Sequence, residues 1–301
     1  MNAYDIYLYG MVLITTSHLL KNDYPEPDSY AEIAQTYHFP GGETGSCATV
    51  LASLGASVKM DGNHMGINTY DRIKGFYESI NVDISRLTNA RDYEGLEDLV
   101  LIGKTTRTIF GKFTDYFENG EKRWNTPREE DIKTATVIGL DPFFQEASEL
   151  AAQYCREYNK KYVTIDCKYD SPLHQYSEVN VVSNEFIQNN YPGEDAQALF
   201  RMYTDKSEGL VIFTFGSRDI LYGRKGEGIH SFTPYKVDVV STLGAGDSFK
   251  AGAVYALLQG MTDPDIVSFA SATAAVACSS FPLWLNPPTL KKISALQATR
   301  S

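Results

Sequence analysis

Ser241-Thr242-Leu243-Gly244-Ala245-Gly246-Asp247-Ser248-Phe249 separates a run of β-like residues, Tyr235 to Val240, from a helix-like one, Phe249 to Leu258. A turn built from Gly244, Ala245 and Gly246 carries almost no side chain, so successive backbone N–H groups can point out from a helix N-terminus and hold an anion. Such a turn suits phosphate oxygens. Asp247 falls in the first helical turn, where the helix dipole favours a carboxylate that stays ionised near neutral pH. An ionised Asp beside an anion cradle can take the proton from a hydroxyl that attacks phosphorus. The same residues also suit a plain strand-to-helix turn with Asp247 as its cap.

The 301 residues suffice for one large α/β domain, and 43% hydrophobic with 22% charged residues is ordinary for a globular chain. A formal charge of -11 argues against nucleic acid or an anionic membrane as the partner. Any anionic ligand must then be met by local positive charge or backbone N–H groups. Cys47, Cys155, Cys167 and Cys278 lie far apart without metal-ligand spacing and read as free thiols of a reducing, cytoplasmic compartment. The run Ile6 to Ile14 lacks a basic flank and a small-residue cleavage site, and no run has the length of a membrane span.

Ile6 to Thr15 reads as a buried first strand, Tyr24 to Pro40 as a loop or exposed strands, and Gly45 to Leu54 as a helix closed by Gly55. Leu99 to Phe117 alternates loosely and ends at Glu118-Asn119-Gly120-Glu121, a hairpin signal. From Ala135 the pattern is regular, with strands at 136–140, 162–166, 179–182 and 210–215 and helices at 144–158 and 195–203. Strands alternating with helices in this way imply a mostly parallel sheet covered on both faces. A hairpin over Ile220 to Phe232 and helices 249–259 and 265–280 complete the pattern. We read one domain over residues 1–301, with segments of about 15–40 and 91–126 forming a small β element outside the main sheet.

The Gly-Ala-Gly-Asp stretch resembles the C-terminal signature of the ribokinase-like (PfkB) carbohydrate kinases, Asp-Thr-x-Gly-Ala-Gly-Asp-x-Phe, in all but its first position. Gly41-Gly42 and the helix that follows resemble the family's N-terminal signature, in which Ser46 takes the place of a substrate-binding Asn. Thr15, five residues after Gly10, takes the place of an Asp that grips two sugar hydroxyls. The resemblance implies a three-layer α/β fold with a β lid, and ATP-dependent phosphorylation of an alcohol on a small carbohydrate. It further implies Asp247 as base, with Gly244, Ala245 and Gly246 as the anion hole. Thr242 would shape that loop, and Thr214, Gly216, Ser217 and Asn184 would line the nucleotide side. Thr15, Gly41, Gly42, Ser46 and Asp247 would face the acceptor. Mg²⁺ would bridge the ATP phosphates; the family's Asn-x-x-Glu motif retains Asn184 but has Ile187 in its last place, which leaves Glu185 as the neighbouring carboxylate. Ser241 replaces the signature's first Asp, near which some of these enzymes hold a monovalent cation. The lid strands can pair with a second copy, which would give a homodimer.

The departures at Thr15, Ser46, Ile187 and Ser241 keep two other functions open, a nucleoside or other non-sugar alcohol kinase and a non-catalytic nucleotide or sugar sensor. Gly103-Lys104-Thr105 lacks the earlier Gly of a Walker A loop and is discounted. The five histidines have no metal-binding spacing. Arg107, Lys112, Lys122 and Arg123 read as a solvated hairpin face, one of which would meet an acidic or phosphorylated acceptor if the acceptor is of that kind.

Overall fold

The computed structural model describes residues 4–103 and 106–300. Its strands are β1 (Ile6–Gly10), β2 (Leu13–Leu20), β3 (Ile33–Gly41), β4 (Val58–Gly62), β5 (Glu97–Ile102) and β6 (Arg107–Gly111), then β7 (Val137–Leu140), β8 (Lys161–Ile165), β9 (Val179–Ser183), β10 (Leu210–Phe215), β11 (Arg218–Gly223) and β12 (His230–Phe232). Among the described residues these form an eight-stranded sheet, β12-β11-β10-β9-β8-β7-β1-β4, and a four-stranded one, β3-β2-β5-β6. The six strands from β10 to β4 in the first order run parallel; β11 and β12 are antiparallel.

Every residue of β1, β4 and β7 is buried, as expected of parallel strands covered on both faces. Helices Glu43–Ser53, Ala245–Leu258 and Asp263–Cys278 cover one face, where Leu8, Val254 and Val267 share a core cluster. Helices Glu146–Glu157 and Ala196–Lys206 contribute to clusters around Tyr7, Tyr162 and Phe213. The alanine-rich composition of Asp263–Cys278 has a direct consequence: a Cβ on Gly252 would lie 2.7 Å from Ala270 Cα, so the two helices meet almost backbone to backbone.

Three expectations are corrected. Ile6 to Thr15 is not one strand: after Gly10 the N–H of Met11 donates to Asp141 Oδ2 at 3.0 Å and that of Val12 to Asn63 Oδ1 at 2.7 Å, so side chains take over the ladder and the chain crosses to the second sheet. Tyr235 to Val240 is no strand either; the N–H groups of Val240 and Ser241 both donate to Cys278 O, which ties this stretch to a helix end. Glu118 to Glu121 makes no hairpin, because Asp115–Asn119 closes a π-helical turn in which Tyr116 packs on Phe117 and Trp124. The antiparallel pair forms earlier, between β5 and β6. Lys104 and Thr105 of the discounted Walker-like triplet lie outside the described residues. Among the described residues no helix is long and apolar enough to cross a membrane.

The crossing between the sheets depends on Gly42. It has φ +84°, and a Cβ there would stand 2.6 Å from Met11 O, the carbonyl that accepts the N–H groups of Thr44 and Gly45. We expect Gly42→Ala to lower unfolding stability by about 2 kcal/mol or more, from the left-handed backbone plus the clash. Urea unfolding of the variant beside the wild type measures it, and an unchanged midpoint would refute the constraint.

Candidate active site

The parallel strands deliver their carboxyl ends to one edge of the sheet, the side on which open α/β folds bind ligands. Asp141 follows β7 there, and Gly10 ends β1 beside it. A Cβ on Gly10 would lie 2.0 Å from Asp141 Oδ2, so only glycine admits that carboxylate. Asp141 Oδ2 accepts from Met11 N at 3.0 Å and Thr44 Oγ1 at 2.8 Å, while Oδ1 pairs with the ammonium of Lys250. Both members of this pair have no solvent exposure. Burial pushes the Lys250 ammonium down, but Asp141 together with Cys47 and Asp247 holds it above its ordinary range.

Asp247 stands one helical turn before Lys250. Gly244, with φ +77° and ψ 11°, caps the Ala245–Leu258 helix in the left-handed region. Ala245 N donates to Thr242 O at 3.2 Å, and Ser248 N is the first to find a helical acceptor, Gly244 O at 2.9 Å. The N–H groups of Gly246 and Asp247 therefore lack one and are available to an anion. The Asp247 carboxyl is pushed up to about 7, by burial first and then by Asp141, against the pull of Lys250, a bond from Ser46 and the charge of Arg107. The expectation that the helix dipole keeps it well ionised at neutral pH is thus corrected; burial and a neighbouring carboxylate outweigh the dipole. Glu43, in the first turn of Glu43–Ser53, is raised well above its ordinary range by burial, Asp247 and Asp141, and its Oε2 is buried without a partner.

Asp247, Gly244, Thr15, Gly41, Gly42 and Ser46 come together around one cavity of about 260 Å³, and Glu43 and Asp98 also line it. Its remaining walls are apolar, with Phe39, Phe113, Phe117, Phe143, Phe281 and Leu283 prominent. Gly41 must be glycine because a Cβ would meet Thr15 Oγ1 at 2.4 Å. Thr242, Ala245 and Gly246 belong to the loop at the rim rather than to this lining.

Thr214, Gly216, Ser217, Asn184 and Glu185 do not line the cavity. They sit together farther along the edge: Thr214 is opposite Ser183 in the β9–β10 register, Gly216 has φ +66° in the β10–β11 turn, and Asn184 Oδ1 accepts from Arg218 Nη2 at 3.0 Å. Glu185 is exposed, whereas Ile187 packs with Leu199, Phe200 and Tyr203 and points into the core.

Five residues with charge in or beside the site were not picked out as such from the sequence: Glu43, Asp98, Asp141, Asp166 and Lys250. Lys250 had a signal, a single cation inside an otherwise apolar helix, and Asp141 had one in following a strand directly. Asp166 follows β8, accepts from Ser183 N at 2.7 Å and Ser183 Oγ at 3.0 Å, and is pushed up to about 6 by burial in spite of those bonds. Arg107 was read with its neighbours as a solvated face, one of which would meet an acidic or phosphorylated acceptor; its Nη1 donates to Thr242 Oγ1 at 2.8 Å, so it leaves that face and reaches from β6 onto the loop ahead of Asp247. The rest of that basic run turns away, Lys122 to Glu146 and Arg123 to Asp92 and Glu121, with Lys112 exposed.

A family profile described as pfkB family carbohydrate kinase matches residues 4–283. A 5-dehydro-2-deoxygluconokinase of Bacillus anthracis is 30% identical over 115 residues, which is 38% of this chain and 34% of that protein, so the match spans about a third of the curated relative. The structure of Arabidopsis thaliana ribokinase with ribose and ATP superposes with a TM-score of 0.80 at 14% identity, over 98% of this chain and 99% of that one. Methanocaldococcus jannaschii nucleoside kinase, an archaeal member of the ribokinase family, gives 0.76 at 16% identity, over 99% of both.

Lys250→Met leaves Asp141 as an uncompensated buried charge, and we expect it to lose about 3–5 kcal/mol of unfolding stability. Adding Asp141→Leu to the same chain should recover part of that loss. Denaturant unfolding of the single and double variants checks both, and an undisturbed Lys250→Met protein would refute the pairing.

Proposed function

Because the chain belongs to the pfkB family of carbohydrate kinases, we propose that it transfers the γ-phosphoryl group of ATP to an alcohol of a small carbohydrate held in the cavity beside Asp247. The observation that carries this reading is the juxtaposition of a carboxyl poised at about 7 with two first-turn N–H groups that have no helical acceptor. Asp247 takes the proton from the acceptor hydroxyl as that oxygen attacks phosphorus. Gly246 and Asp247 offer N–H groups to the developing charge on the transferring group, and Gly244 lets the loop turn without a side chain in the way. Arg107 adds a cation from the second sheet over the same loop. Lys250 and Asp141 take no proton in this scheme; they hold the base in place from below.

ATP would extend from the loop along the sheet edge toward Asn184, Thr214, Gly216 and Ser217. Mg²⁺, when bound, neutralises charge on the ATP phosphates and takes much of its coordination from phosphates and water. Asp166 and Glu185, which feel each other's charge, are the carboxylates on that side that would hold it. The four free cysteines fit a reducing cytoplasm. The aromatic walls favour one second reading, a nucleoside acceptor whose base would lie against them.

The test is ADP release from ATP and Mg²⁺ with pentoses, hexoses, ketoses, 5-dehydro-2-deoxygluconate and nucleosides. Asp247→Asn should cut turnover by at least about two orders of magnitude while nucleotide binding persists. For the wild type, kcat/KM should rise with pH below about 7 and level off above it, since a carboxyl raised to about 7 is a base only above that value. Nucleotide binding without ADP from any acceptor would favour a sensor instead. Ile33 and Phe110 leave apolar surface on the two edge strands of the second sheet, and we expect this sheet to pair with a second copy; light scattering giving the mass of one chain would refute that assembly.

A further inference from the structure

Thr15 and Asp98 are opposite each other in the parallel β2–β5 register, and both line the cavity. Thr15 is 4% exposed, and its hydroxyl beside Asp98 pulls that carboxyl down against the larger upward push of burial. One carboxylate oxygen, Oδ1, is buried and has no hydrogen-bond partner. An ionised carboxylate offers about four lone-pair sites, so a single bond from Thr15 would leave room for at least two more donors. An unpartnered carboxylate oxygen turned away from water is destabilising unless a ligand supplies the donor.

We propose that Asp98 is the specificity-determining residue for the acceptor, and that it binds a pair of hydroxyls on a neutral polyhydroxylated ring while Thr15 orients it. The proposal rests on the kinase reading above and deepens it. Asp98 and Thr15 reach the cavity from neighbouring strands, β5 and β2. The charge of the cavity selects the class of acceptor. Glu43, Asp98 and Asp247 are the ionisable side chains of its lining and all are carboxyls, so the lining offers no cation to an acceptor's own carboxylate or phosphate. Of the basic run, Lys122 and Arg123 are paired elsewhere and Arg107 is turned onto Thr242. Phe39 and Phe113 supply flat apolar faces suited to the C–H faces of a ring.

The experiment compares wild type, Asp98→Asn, Asp98→Ala and Thr15→Val with D-ribose, D-fructose, 2-deoxy-D-ribose, phenyl β-D-glucoside, adenosine, D-glucosamine and D-gluconate. It reads both ADP release and thermal stabilisation, the latter in the Asp247→Asn background as well. The expected result is that a neutral member of the panel is turned over or bound. The two Asp98 variants then raise its KM by about tenfold or more, with kcat within about threefold and the KM for ATP unchanged. Thr15→Val should give a smaller rise of the same kind. The wild-type KM for that acceptor should fall as pH rises from 5 to 7, and the dependence should vanish in Asp98→Asn. Turnover with unaltered acceptor KM in both Asp98 variants overturns the inference while leaving the kinase reading intact. Preference for D-gluconate or D-glucosamine over the neutral sugars overturns the class of acceptor. A wild type that binds none of the panel overturns the inference too, and a wild type that binds a neutral sugar through Asp98 without making ADP overturns the kinase reading alone.

Discussion

The buried pair of Asp141 and Lys250 is the constraint on which the site depends. Neither charge reaches water, so each must be satisfied from within, and the means of doing so fix three segments at once. Met11 N and Thr44 Oγ1 occupy one oxygen of Asp141, which locks the crossing between the two sheets and the start of the helix behind Gly42. Lys250 occupies the other, which locks the helix that carries Asp247. A pair of this kind adds little net stability over well-packed apolar residues. Its value here is positional, since the crossing after Gly10, the helix behind Gly42 and the helix that carries Asp247 are referred to a single buried point.

The same pair sets the chemistry by what it fails to cancel. Lys250 lowers the Asp247 carboxyl, yet its charge is largely committed to Asp141, whose own charge pushes Asp247 up. Burial pushes harder still, and the net result is a carboxyl raised to about 7 rather than a permanently ionised anion. Arg107 approaches from the second sheet, so Asp247 feels both a buried cation and a partly exposed one. The aromatic walls of the cavity set apolar surface beside the carboxyls.

Much of the fold was legible because parallel strands buried on both faces leave continuous apolar runs, as at 137–140 and 210–215, and helices between them have their own period. The turn at Gly244 was legible as the opening of a helix for a different reason: three residues with almost no side chains before an Asp have few purposes. What stayed hidden depends on pairing at a distance. Nothing local in Gly10-Met11-Val12 shows that Asp141 and Asn63 intercept the backbone there, so one apolar run was read as one strand. The β-branched stretch Val237 to Thr242 has strand propensity, but Cys278 O claims its N–H groups first. Asp98 is unremarkable in sequence, one acid in an alternating segment, and only the β2–β5 register sets it against Thr15. Arg107 was read with its neighbours as a charged face, because a run of basic residues gives no sign that one of them points the other way.

The most direct measurement of the central claim is a ¹³C-carboxyl titration of the ligand-free protein, with the Asp247 resonance assigned by its loss in Asp247→Asn. The account predicts a carboxyl that titrates near 7 and moves upward when Lys250 is replaced in a variant that still folds. A resonance that titrates in the ordinary carboxylate range near 4, or one indifferent to Lys250, would contradict it.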